Sequence, residues 1–304
     1  MVLHRAIEKL KMLSLTAKLD DSPTYDAQIN LSSVEFADDV TGVTVCDTEE
    51  QVEISLQILA KEYDKYFSAN GLKINVLKSE HIVFGHPRTK VVKVDGRSEA
   101  NEVKLLGLTI SNKLKFDAHA DSIAEKISKR NGQLTNLVGF AGKDTMKMLA
   151  TATILSIANY GSAVYAKDRA VINRIQVKLN KTLRLVTGSR LKTHVSDMLK
   201  DVDWMKFELM VAYNKIMLLN RIIAHSAAPY CMMLIASAAH QTRYMVRERE
   251  LRIAWRPRLA RVGSTSFIAT AVNLYNQVKL QGKVMKQADI SKFVKLQLKQ
   301  WKKT

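Results

Sequence analysis

The chain has 304 residues, 47% of them hydrophobic, so it can bury a substantial core in one large domain or two, and a disordered composition is excluded. Its 47 Lys and Arg residues against 29 Asp and Glu give a formal net charge of +18, which favours a polyanionic partner. The two cysteines, Cys46 and Cys231, belong to no C-x-x-C pair or histidine cluster, which excludes a zinc knuckle and argues against a disulfide framework.

The charge divides unevenly along the chain. Residues 1–118 hold 15 Lys/Arg and 18 Asp/Glu, whereas residues 119–304 hold 32 Lys/Arg and 11 Asp/Glu. An excess of this size favours nucleic acid as the partner of the second region, although solvated basic helix faces are the alternative. The sequence has no apolar run long enough to cross a bilayer and no recognisable signal peptide. We therefore expect an intracellular protein without a membrane partner, in either the nucleus or the cytoplasm.

Residues 1–30 predict a short amphipathic helix followed by a polar loop. The next segment, residues 34–45, places two adjacent acids between β-branched and aromatic residues. This pattern predicts a β-hairpin with Asp38 and Asp39 at its tip. A divalent cation would turn the repulsion between the two carboxylates into coordination, because Mg²⁺ commonly takes one or two carboxylate ligands. The alternative is an ordinary Asp-rich turn.

A long helix is expected next. Asp47 with Glu50 three residues later predicts a capping box, and Asn70-Gly71 predicts the end of the helix after Ala69. Short strands are expected at residues 72–76, 82–85 and 103–110.

The pattern changes after residue 116, where helical periodicity replaces strand alternation. Helices are expected at residues 145–158, 171–186, 204–224, 265–280 and 289–301, and one is marked by Ile123, Ile127, Leu134 and Leu137. Trp204, Phe207 and Met210 have the spacing of a buried helix face. The fold class is therefore α+β, with an all-helical second region.

Several short motifs, beginning with the one that contains the acidic pair, occur in a fixed order. They are Phe36-Ala37-Asp38-Asp39, then Gly71, Asn75 and Lys78 in the form G-L-x-x-N-x-x-K, then Leu106-Gly107, and finally Leu114, Phe116 and His119. In this order and spacing they resemble the reverse transcriptases of non-LTR (LINE-like) retrotransposons. Each match is weak alone, and the order makes the resemblance specific.

The resemblance implies a partial reverse-transcriptase palm over residues 31–118 and a basic helical thumb and C-terminal region over residues 119–304, after an N-terminal remnant. It implies RNA-directed DNA polymerase ancestry, with Mg²⁺ or Mn²⁺ as cofactor. The partners would be an RNA template, an RNA/DNA hybrid and deoxynucleoside triphosphates.

The resemblance also implies residue roles. Asp38 would be a metal ligand and Asp39 would support the metal site, while Lys78 would stabilise triphosphate charge or donate a proton. The remaining matches would be structural: Phe36 and Ala37 in the catalytic hairpin, Gly71 at the turn after the helix, Asn75 bonded to backbone in the following loop, and Leu106-Gly107 in the primer-grip hairpin. For His119 we expect capping or packing.

The sequence also departs from the family. Only 37 residues precede Asp38, and they hold neither the family's other catalytic Asp, in a strand of apolar neighbours, nor its Gly-x-Pro-Gln-Gly loop. We therefore expect the isolated chain to be inactive. The alternatives are a non-catalytic nucleic-acid-binding protein derived from such an element, or a pseudogene product without a function of its own.

A second candidate binding segment lies in the basic region. Its residues are Arg243, Tyr244, Arg247, Arg249, Arg252 and Trp255. Arginine forks bind phosphates and aromatic rings stack on unpaired bases, so this segment predicts contact with nucleic acid. The alternative is a solvated helix face with Trp255 buried.

Overall fold

The computed structural model describes residues 30–85, 91–225, 266–278 and 287–300. Within these residues the fold is mixed α+β, mostly helical with a few short strands, which confirms the predicted class. The chain divides into two compact units, Met1–Lys115 and Phe116–Thr304. All the strands in the described residues belong to the first unit.

The predicted hairpin is present and begins earlier, at Asn30. Strand β1 (Asn30–Phe36) pairs antiparallel with β2 (Asp39–Val45), and Phe36 lies opposite Asp39. Ala37 and Asp38 form the two-residue turn between the strands. Val34 and Phe36 lie on the same face of the hairpin, because a strand presents alternate side chains to opposite faces.

Helix α1 (Glu49–Ala69) follows, with a cap one residue later than predicted. Thr48 accepts a hydrogen bond from the Gln51 backbone N–H, and the Gln51 side chain accepts one from the Thr48 N–H. The capping box is therefore Thr48 with Gln51, and the predicted pair of Asp47 and Glu50 is wrong. The helix ends as predicted before Gly71, whose φ of 71° favours glycine.

Helix α1 holds the first unit together by contacts on two sides. Toward the hairpin, the Tyr63 hydroxyl donates to Ser33 Oγ at 2.9 Å. On another side, buried Ala60 packs with Val92 and Val94. The Arg97 guanidinium pairs with Asp64 at 2.8 Å beside this cluster.

Three predicted strands differ from the structure. Residues 72–76 form no strand, because the Asn75 side chain caps a 3-10 turn, Val76–Lys78. In place of a strand at 82–85, β3 (Glu80–His81) pairs in parallel with β4 (Ser98–Glu99). The predicted strand at 103–110 is a hairpin of β5 (Glu102–Leu105) and β6 (Leu108–Ser111).

The described part of the second unit is helical. Its elements are α2 (Asp117–Thr135), α3 (Lys143–Ala150), a π-helical turn (Thr151–Leu155), α4 (Ser156–Asn159), α5 (Ser162–Tyr165), α6 (Arg169–Thr187), α7 (Val195–Asp201), α8 (Phe207–His225), α9 (Phe267–Gln277) and α10 (Gln287–Gln300). The predicted helices are present with shifted ends, and the one at 145–158 contains the π-helical turn. Leu137 lies beyond the end of α2 and is exposed.

Helices α2 and α6 pack on each other, and Ile127 in α2 and Ile175 in α6 are both fully buried. Next to them, the Asn131 amide donates to the Lys178 carbonyl at 3.1 Å and accepts from the Thr182 hydroxyl at 2.8 Å. A second core joins α8, α9 and α10 through residues such as Leu219, Tyr275 and Val294.

Phe207 and Met210 are buried, as their spacing predicts, whereas Trp204 is half-buried. The Phe207 backbone N–H donates to the Gln176 side chain at 2.7 Å, which joins the start of α8 to α6. None of the helices in the described ranges combines the length and the hydropathy that a bilayer span requires.

Candidate catalytic hairpin

The tip of the first hairpin has a strained backbone. Ala37 has a φ of 54°, in the left-handed region, whereas Asp38 does not. A positive φ at only the first residue of a two-residue turn is typical of type II′, where glycine is preferred. An L-residue in this region costs about 1–2 kcal/mol, and such strain tends to occur at functional sites.

The two faces of the hairpin differ in what they contact. One face lies on α1, where Gly42 approaches Leu59 and Ser33 bonds Tyr63. The opposite face is open and apolar. Its exposed residues, with their exposed fractions, are Val34 (59%), Phe36 (63%), Val43 (47%) and Val45 (66%). Asp39 shares this face because it pairs directly with Phe36.

Asp38 and Asp39 are both exposed, and they are neighbours at the end of the hairpin. Among the residues that the structure describes, no three His, Cys, Asp or Glu side chains are grouped as a complete metal site would require. Mg²⁺ often keeps several waters and is held by one or two carboxylates together with substrate phosphates. The donor set of this pair therefore fits a partial magnesium site that substrate oxygens and water would complete.

Lys78 lies at the end of the 3-10 turn and is exposed. Its backbone N–H donates to the Asn75 side-chain oxygen at 3.3 Å and to the Asn75 carbonyl at 3.1 Å. Asn75 thus makes the backbone hydrogen bond predicted for it. Within residues 30–85, no hydrogen bond or ion pair joins Lys78 to Asp38 or Asp39, so its catalytic role stays a prediction.

The second hairpin also turns through left-handed residues. Leu106 has a φ of 46° and Gly107 a φ of 82°. Positive φ at both positions is typical of a type I′ turn, whose twist suits a hairpin. Leu106 is a bulky residue in this region, so the turn is strained at its first position.

His119 is buried against Tyr165, with the ring centroids 4.8 Å apart. The Tyr165 hydroxyl donates to the Ala158 carbonyl, and burial raises the pKa of Tyr165. Burial lowers the pKa of His119, and the positive charge of Lys126 lowers it further. The packing role predicted for His119 is confirmed.

The predicted arginine segment, Arg243 to Trp255, lies outside the described residues. A different basic element was missed from the sequence. Helix α6 carries five Lys and Arg among its 19 residues and contains no Asp or Glu. The sequence feature that identifies this helix is the absence of Asp and Glu over its 19 residues. The net charge of residues 119–304 as a whole does not show where along that region the acids are missing.

Comparison with known proteins leaves the chain without a match: no protein-family model, no curated protein and no solved structure corresponds to it.

Proposed function

We propose that the first hairpin supplies metal-binding carboxylates for template-directed nucleotidyl transfer, in the C-terminal palm and thumb portion of a reverse transcriptase of the non-LTR type. The observation that supports this most is the pair Asp38 and Asp39 exposed at a strained two-residue turn. The motif order from Phe36 to His119 supports it as well. An ordinary Asp-rich turn would not need the strain at Ala37, since glycine there would remove it.

In this proposal Asp38 would hold a Mg²⁺ or Mn²⁺ ion, and Asp39 would add negative charge beside it. In a two-metal site, one ion would lower the pKa of the attacking 3′-hydroxyl and the other would stabilise the leaving pyrophosphate. Lys78 neutralises triphosphate charge from its exposed turn. Asn75 holds that turn through its bond to the Lys78 N–H.

Manganese binding tests the proposal without requiring catalysis. Paramagnetic resonance of free Mn²⁺, measured during titration of the full chain, reports how much ion is bound. We expect Asp38→Asn to weaken binding and Asp47→Asn, an exposed acid beyond the hairpin, to leave it unchanged. Equal binding by wild-type protein and the Asp38→Asn variant would rule out the metal role.

A second candidate function is nucleic-acid binding without catalysis. Residues 116–225 carry 17 Lys and Arg against nine Asp and Glu, which favours this function independently of the hairpin. Manganese titration of the full chain and filter binding on an RNA–DNA hybrid separate the two candidates. Hybrid binding by a chain that binds no Mn²⁺ at the hairpin would favour the second.

A further inference from the structure

A continuous helical segment runs from α3 through the π-helical turn into α4, and most of it carries no charge. Residues 148–166 contain no Asp, Glu, Lys, Arg or His, although charged residues make up 25% of the chain. Ile154, Leu155 and Ala158 are buried, so one side of this segment belongs to the core. The solvent side is uncharged as well, whereas the solvent side of a surface helix normally carries charged residues. Depletion of charge is typical of the centre of a protein–protein interface.

Four exposed residues at intervals of four lie along the solvent side of this segment and form a neutral stripe: Met148, Ala152, Ser156 and Tyr160. Met148 is 63% exposed and Tyr160 is 58% exposed. The Ser156 N–H donates to the Thr151 carbonyl, five residues back, so this turn holds more than the about 3.6 residues of an α-helical turn. Positions four apart therefore lie more nearly in line here than they do in a regular α-helix.

Hydroxyl groups on this side of the segment are bonded to their own helix. Thr151 Oγ1 and Thr153 Oγ1 each donate at 2.7 Å to a backbone carbonyl four residues earlier. Ser156 Oγ donates to the Ala152 carbonyl in the same way. Because these donors are already satisfied, covering this side with an apolar surface costs less free energy than covering unbonded hydroxyls.

The neutral stripe is complementary to itself. Its side chains are large at Met148, small at Ala152 and Ser156, and large again at Tyr160. If two copies cross antiparallel about a two-fold axis, Ala152 of one copy faces Ser156 of the other, and Met148 faces Tyr160. The small central residues let the two helices approach closely, and a thioether against an aromatic ring is a favourable contact.

The charge of the chain also favours the neutral stripe as the place where copies meet. Two chains of net charge +18 repel each other, so a contact between them is least opposed where neither copy presents a charge. The remaining repulsion acts between more distant charges, which salt screens.

We propose that the neutral stripe is a docking surface for a second copy of this chain, packed antiparallel through Met148, Ala152, Ser156 and Tyr160. This inference goes beyond the proposed function and does not depend on the first hairpin. One helical stripe buries less than the about 800 Å² per partner of a standard interface. We therefore expect a weak dimer, with a dissociation constant of about 1 µM or higher.

Sedimentation equilibrium of the full chain at about 1–100 µM, in about 0.1 M and about 0.5 M KCl, tests the proposal. We expect the average mass to rise from monomer toward dimer with concentration. Association should be tighter at the higher salt concentration, because screening reduces the repulsion between copies.

Ala152→Glu is the test variant, since it places two like charges beside the two-fold axis. It should weaken association by about tenfold or more. Ala118→Glu is the matched control, because it makes the same change at an exposed position in the first turn of α2. The control should associate as the wild-type chain does.

Met148→Glu and Tyr160→Lys test the antiparallel arrangement. Each variant alone should associate more weakly than the wild-type chain. An equimolar mixture of the two should associate more tightly than either alone, because one Glu–Lys pair forms and one Met148–Tyr160 contact is kept. A mixture without this gain would overturn the antiparallel arrangement.

Three other results would overturn the docking surface itself. They are a wild-type chain that stays monomeric over the whole concentration range, undiminished association of Ala152→Glu, and binding of the stripe to phosphatidylcholine vesicles in place of a second copy.

Discussion

Gly42 of strand β2 lies so close to Leu59 of helix α1 that a Cβ at position 42 would approach Leu59 Cδ2 to 2.4 Å. The Tyr63 hydroxyl lies 3.0 Å from the same point. The hairpin that carries Asp38 and Asp39 is thus seated on α1 at a position where any larger residue requires the Leu59 side chain to move. This contact positions the candidate catalytic tip.

Substitution of Gly42 by alanine should therefore destabilise the first unit. We expect a loss of about 1–3 kcal/mol in the free energy of unfolding, because the added methyl group must displace Leu59. Urea unfolding measures it. Gly132→Ala in α2 is the contrasting variant, since nothing lies within 4 Å of its Cβ. It should gain about 0.5–1 kcal/mol, and an equal loss at both glycines would contradict the packing described.

Substitution of Ala37 by glycine should stabilise the hairpin. Glycine removes the cost of the φ of 54°, and this gain exceeds the extra entropy of the unfolded chain. We expect a net gain of up to about 1 kcal/mol. Hydrogen exchange of the hairpin amides measures it. Thr41→Gly, at a regular strand position, should lose stability, and a similar loss in Ala37→Gly would argue against the strained turn.

The buried hydrogen bond between Thr182 and Asn131 should contribute to the packing of α6 on α2. Thr182→Val leaves the side-chain oxygen Oδ1 of Asn131 without the hydroxyl that donates to it at 2.8 Å. The expected loss is about 1–3 kcal/mol in the free energy of unfolding. A double-mutant cycle with Asn131→Leu measures the coupling. Coupling close to zero would show that the bond does not stabilise the interface.

The lowered pKa of His119 should make stability depend on pH. Burial and Lys126 keep this imidazole neutral in the folded chain, whereas the unfolded chain binds a proton near pH 6.5. The stability that neutral His119 provides is complete above that pH. It falls as pH decreases from about 6.5 toward the folded pKa, because the unfolded state then binds more protons.

Urea unfolding of wild-type protein and His119→Phe over this pH range isolates the effect. As pH falls, the wild-type protein should lose stability relative to the His119→Phe variant. Parallel curves for the two proteins would show that His119 does not titrate differently in the folded and unfolded states.

Much of the fold could be predicted from local patterns. The first hairpin followed from alternating side chains, and α6 from apolar residues at a helical period. The N-cap of α1 was predicted one residue too early, because Asp47-x-x-Glu50 and Thr48-x-x-Gln51 both fit the pattern of a capping box. The strand expected at residues 72–76 failed because alternation over so few residues does not reveal that Asn75 will cap a turn.

The candidate site was less predictable. The sequence indicated two acids at a hairpin tip, but the positive φ of Ala37 follows from the closure of the two strands, which a local pattern does not specify. The contact of Gly42 with Leu59 depends on how α1 lies on the hairpin.

Iron-mediated cleavage of the polypeptide tests the metal role of the first hairpin most directly. Fe²⁺ replaces Mg²⁺ in the presence of the hybrid, and ascorbate with peroxide then generates radicals that cut the backbone near the bound ion. We expect cuts between Phe36 and Val40 in the wild-type chain and in Asp47→Asn, and their loss in Asp38→Asn/Asp39→Asn. Absence of cuts in this segment, or the same cuts in the double variant, would contradict it.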